Sequence, residues 1–78
     1  MLEKQEIKIY KKDEFVVEVS KSINNGLEHI EFFLYHTDYD TKLHMFGVEL
    51  DFNNDNEIKD LINKNIEEYI AHYEQDIM

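Results

Sequence analysis

The chain has no cysteine, proline, tryptophan or arginine, and only two glycines. Without cysteine there is no disulfide and no thiolate metal site, so a packed core or an oligomer must supply the stability. With Gly26 and Gly47 the only glycines, no glycine-rich loop is available to cradle a phosphate. No apolar run approaches the roughly 18 residues that cross a bilayer. The opening "MLEKQEIKIY" lacks the apolar stretch of a signal peptide. These absences predict a cytoplasmic protein with no membrane partner.

Seventy-eight residues predict a single domain spanning 1–78, near the lower limit of chains that fold without staples. The apolar share of 42%, with five Phe and five Tyr, suffices for a compact core and argues against disorder. Positive charge is scarce: eight Lys face 18 acids, for a net charge of −10. Residues 1–21 balance to zero, so residues 22–78 carry the whole excess. Direct nucleic-acid binding is disfavoured, because phosphate contacts need Lys and Arg. An acidic field suits a basic protein partner, including one whose own ligand is nucleic acid. It also serves solubility alone.

The first fifty-two residues read as strands, at about 5–11, 14–23, 27–36 and 43–52. "EIKIY" alternates Ile7 and Ile9 with Glu6 and Lys8, and "EFVVEV" places Phe15, Val17 and Val19 on one face. Asn25-Gly26 is the strongest two-residue hairpin signal, since a type I′ turn needs positive φ at both positions. A two-residue loop there sets Val19 opposite Phe32 and Val17 opposite Leu34. A three-residue loop at Lys11–Asp13 sets Ile9 opposite Phe15. A hairpin centred on Asp40 sets Leu34 opposite Phe46 and Phe32 opposite Val48. All three turns put Ile7, Ile9, Phe15, Val17, Val19, Ile30, Phe32, Leu34, Phe46, Val48 and Leu50 on one face.

Residues 55–76 have helical period. Ile58, Leu61, Ile62, Ile66, Tyr69, Ile70, Tyr73 and Ile77 form one broad stripe. Asn54, three residues before Glu57, resembles a capping box. The predicted fold is α+β, a four-stranded antiparallel meander with one C-terminal helix on one face, ββββα in two layers.

The outer face of that sheet is predicted to carry Tyr10, Val16, Phe33, Tyr35, Leu43 and Met45, with Gly47 opposite Phe33. Contiguous exposed apolar area marks an interaction surface, for a partner or a second copy. The acids Asp38, Asp40, Asp51, Asp55, Glu57, Asp60, Glu67, Glu68 and Glu74 form a second candidate surface, read as an imitation of spaced phosphates. In size and charge the chain resembles small acidic phage proteins that block nucleic-acid-binding enzymes, several anti-CRISPR proteins among them. The resemblance is of size and charge, and it assigns no residue a role.

The stretch "LYHTDYDTKLHMFG" holds two histidines and two aspartates. The expected register pairs His36 with His44 across neighbouring strands. Two imidazoles there offer two metal ligands, and Asp38 or Asp40 an oxygen. A durable site needs three or four rigid ligands, and Asp suits turns for its own reasons, so no metal and no cofactor is assigned. Ser20 and Ser22 have no histidine expected within reach as a base. The expectation is a non-enzymatic, acidic protein-binding module, an inhibitor of a basic nucleic-acid-processing protein. The alternative is a homodimeric accessory protein that self-associates through its outer sheet face.

Overall fold

The computed structural model describes residues 6–24 and 26–78, the side chains of Ile23 and Asn24 excepted. Strands β1 (Ile7–Lys12), β2 (Phe15–Asn24), β3 (Leu27–His36) and β4 (Leu43–Val48) form one antiparallel sheet in the order β1-β2-β3-β4. Helix α1 (Asp55–Asp76) follows. The fold is the ββββα arrangement that the alternation and the helical stripe predict.

The centre of the sheet has the predicted register. Val17 lies opposite Leu34 and Val19 opposite Phe32. Asn24 pairs with Leu27, and Gly26 takes a φ of +80°, the left-handed conformation that glycine adopts without steric cost. Asn25, the other half of that turn signal, lies outside the described residues.

The first hairpin differs from expectation. Lys12 pairs with Phe15 around a two-residue turn, and Asp13 takes a φ of +55°, which Asp tolerates better than most residues. Tyr10 therefore lies opposite Val17, and Ile9 opposite Glu18. Strand β1 is turned over: Ile7 and Ile9 are exposed at 47% and 48%, and Lys8, Tyr10 and Lys12 face the helix side. The reason is reach. Long amphipathic side chains lay their stems along apolar surface and keep their polar ends wet. The Lys8 ammonium sits 4.7 Å from the Phe52 ring centroid and donates to the Phe52 carbonyl and to Asp55. Lys12 reaches Glu67 on α1 at 3.0 Å.

The last hairpin also differs. Phe32 lies opposite Phe46, yet Phe33 lies opposite His44, so the register slips by one residue at Met45. Such a β-bulge re-aims the side chains beyond it. Leu43 now pairs with Leu34 and packs against the core, and Met45 is buried within it. Strand β4 ends at Val48, short of the expected 52, but Phe52 is still buried in the core.

Helix α1 covers the span the periodicity predicts. The Asn54 side chain accepts the Glu57 N–H, which stabilises a helix start by about 1 kcal/mol. Ile58, Ile62, Ile66 and Tyr73 face inward onto Val17, Val19, Ile30, Phe32 and Leu34. Each such fully buried side chain contributes about 1.5–3 kcal/mol relative to exposure. The buried Tyr73 hydroxyl donates to the Thr41 carbonyl at 2.6 Å and fastens the β3–β4 turn to the end of α1.

Candidate functional site

Three groups of polar side chains lie where chemistry or recognition is available. The first is the acidic surface. Of its nine predicted members, Asp55 pairs with Lys8 and Glu67 with Lys12, which spends both on tying β1 to α1. Asp60 pairs with Lys64 one helical turn on, and Asp51 accepts the backbone N–H of Asn53. The Lys8 ammonium, and after it the Tyr10 hydroxyl, hold the Asp55 carboxyl below its usual range. Asp38, Asp40, Glu57, Glu68 and Glu74 form no ion pair among the described residues. Asp38 and Asp40 lie in the turn held against Tyr73, so they share one end of the molecule with Glu74 and Asp76. Phe15 meets Tyr73 edge-on at 5.8 Å, which brings the β1–β2 turn, with Asp13 and Glu14, to the same end.

The second group lies on the outer sheet face. Val16, Phe33 and Tyr35 are there. Val16 lies opposite Tyr35 and is nonetheless buried, while Phe33 and Tyr35 are half-buried. The Lys42 ammonium sits 5.6 Å from the Tyr35 ring centroid and pairs with Glu18. Tyr10, Leu43 and Met45 are not on this face: the turned β1 and the bulge at Met45 move all three to the helix side. The bulge instead delivers His44 to the outer face, where its Nε2 lies 2.9 Å from Glu31. The other oxygen of Glu31 lies 3.0 Å from His29 Nε2. Gly47, not Phe33's neighbour as expected, sits opposite Glu31. Its lack of a side chain leaves the space that the Glu31 carboxylate fills. The hydrogen bond to His44 is the largest influence on the Glu31 carboxyl; burial opposes it, and the bond to His29 adds to it, so that the pKa is lowered on balance.

A His–Glu–His arrangement can orient an imidazole for proton transfer. Among the described residues no serine hydroxyl bonds either ring, and Ser22 donates to the backbone carbonyl of His29. His29 and Glu31, two apart on one strand, were legible as neighbours, but nothing in the sequence marked the bulge that brings His44.

The third group surrounds His36. The expected His36–His44 couple does not form, because His44 is on the opposite face of the sheet. His36 is buried between the edges of Phe15 and Tyr39, at ring separations of 5.1 and 5.3 Å. Its Nδ1 accepts the Asp38 backbone N–H, which leaves the proton on Nε2 to be donated to Glu14 at 3.0 Å. Glu14, His36 and Asp38 offer donor atoms within 4.8 Å of one another, the spacing of a cation site. Both ring nitrogens are already engaged, however, so an ion would have to displace one of these hydrogen bonds.

Among the described residues, no helix is long and apolar enough to cross a membrane. No protein-family model, no curated protein and no solved structure matches this chain.

Proposed function

We propose that the protein is a non-enzymatic acidic docking module. It binds a basic surface of a nucleic-acid-processing protein in place of nucleic acid, and so inhibits it. The observation that carries this reading is the charge at the C-terminal end of α1. The last turn of the helix holds no base, and Glu74 and Asp76 lie at the negative end of the helix dipole. The turn bearing Asp38 and Asp40 is bonded to that same end. Like charges gathered there raise the energy of the folded chain, and among the described residues none of these four carboxylates has an ion pair to offset it. A basic partner would relieve that repulsion on docking. Glu57 and Glu68 extend the acidic field along a helix about 33 Å long.

The test is capture from the source host at low and physiological salt, followed by titration with the purified captured protein. Electrostatic docking weakens as salt screens the charges. Affinity indifferent to salt removes the electrostatic basis of the proposal.

A second reading is self-association through the outer sheet face, favoured by the exposed Ile7 and Ile9. On this reading the acids only confer solubility. Sedimentation separates the two: a tight dimer that dissociates on Tyr35→Glu or Ile9→Glu supports the second reading.

A further inference from the structure

The two edges of the sheet differ. Strand β4 carries the bulge at Met45, whereas β1 pairs with β2 from Ile7 to Lys12 without a break in register. The Lys21 N–H donates to the Glu6 carbonyl at 3.1 Å, so Glu6 and Lys21 are a hydrogen-bonded pair. Such pairs alternate along an antiparallel ladder. Lys8, Tyr10 and Lys12 therefore bond to β2, and the N–H and C=O groups of Ile7, Ile9 and Lys11 point away from the sheet. Among the described residues, no backbone hydrogen bond outside the sheet uses them. Their side chains are exposed, on the outer face.

An unpaired edge is a template for another strand, and lysine side chains commonly blunt it. Here two of the three lysines of β1 are drawn inward, Lys8 onto Asp55 and Lys12 onto Glu67. The edge is left with Ile7, Ile9 and the Lys11 stem.

The order of residues along this edge selects its occupant. Consider two copies meeting antiparallel with Ile9 on the two-fold axis. Ile7 then lies opposite the second copy's Lys11, Lys8 opposite its Tyr10, and Glu6 opposite its Lys12. No lysine faces a lysine, an acid faces a base at each end, and every outward N–H and C=O from Ile7 to Lys11 gains a partner. The smallest slip that keeps the hydrogen bonding sets Lys8 opposite either Lys8 or Lys12, and like charges directly opposite are destabilising. One register is thus favoured over its neighbours. Net charge points the same way. Residues 1–21 sum to zero in a chain of net charge −10, so two copies meet through β1 with the least repulsion.

We propose that β1 pairs with β1 of a second copy, joining two four-stranded sheets into one antiparallel sheet with both helices on the same side. The contact runs through the sheet edge and leaves Tyr35 uncovered. It stands apart from the acidic end and from packing of the outer faces, and either can fail without it.

The test is sedimentation velocity over a concentration series, joined to amide hydrogen exchange. The native protein forms a dimer, and the amides of Ile7, Ile9 and Lys11 exchange more slowly as concentration rises. Ile9→Pro removes an outward N–H and no bond to β2, a change that edge strands tolerate. It weakens the dimer at least about tenfold. Glu6→Lys, at an exposed position, sets like charges opposite Lys12 and does the same without touching the backbone. Tyr35→Glu leaves the dimer intact. Three results each overturn the proposal: a native chain still monomeric at about 1 mM, a dimer in which those three amides exchange at a rate independent of concentration, or a dimer that Tyr35→Glu dissociates and Ile9→Pro and Glu6→Lys do not.

Discussion

The carboxylate of Glu31 lies over the bare α-carbon of Gly47, in the space where any other residue would carry its Cβ. Glycine is needed there to seat a side chain and not to make a turn. Gly47→Ala is expected to swing Glu31 out from between His29 and His44. The obstructing atoms belong to the end of a flexible side chain, so the loss of stability is small, below about 1 kcal/mol. The Glu31 pKa, lowered in the native protein, returns toward its ordinary value. A lowered folded-state pKa contributes stability above the unfolded value, and that contribution is lost as pH falls through the folded one. The variant therefore shows a shallower loss of stability on acidification below the ordinary carboxylate range. Carboxyl-carbon NMR titration of Glu31 in both proteins checks this.

Tyr10 makes the opposite kind of prediction. Burial first, and then its bond to Asp55, push its pKa up from 10.0 to about 12. A raised folded-state value means that the contribution is complete below the unfolded pKa and is lost as pH rises through the folded one. Phenolate absorbance should show a step near pH 12 that is missing in Tyr10→Phe. Loss of a step near 10 instead would place Tyr10 in water.

Tyr73 joins the core to the β3–β4 turn through one hydrogen bond. Tyr73→Phe keeps the ring and leaves the Thr41 carbonyl without its partner, at an expected cost of about 1–2 kcal/mol. Urea denaturation should show a lower midpoint with an unchanged slope.

Zinc is expected to leave the thermal midpoint unchanged. A ligand that binds only the native state must raise it. His36 has both ring nitrogens committed, to Asp38 and Glu14, and His44 lies on the far face of the sheet. A zinc-dependent rise that is lost in His36→Gln would reverse this expectation.

The order of strands and helix was legible because each signal was local. Gly26 fixed one turn, alternation fixed β2 and β3, and Asn54 with the isoleucine stripe fixed α1. The register of β1 was not legible. Ile7 and Ile9 alternate with Lys8 and Tyr10, and the pattern reads equally well with either set inward. Hydrophobicity favoured the isoleucines, yet the stems of Lys8, Tyr10 and Lys12 are what span the gap to Phe52, Asp55 and Glu67. The bulge at Met45 left no mark either, because Leu43, Met45 and Phe46 are all apolar and a slip among them costs the pattern nothing. The outer-face surface and the histidine couple therefore came out wrong in their details. The acids could be named from the sequence, but which of them β1 neutralises depended on the register.

The central claim is that the acids at the C-terminal end of α1 serve a partner and not the fold. The direct measurement compares the native protein with the variant Asp38→Asn, Asp40→Asn, Glu74→Gln, Asp76→Asn, for thermal stability and for affinity to the captured partner. The account predicts an equal or higher midpoint for the variant, because repulsion is removed, and a loss of affinity of at least about tenfold at physiological salt. A lower midpoint with affinity intact would contradict it.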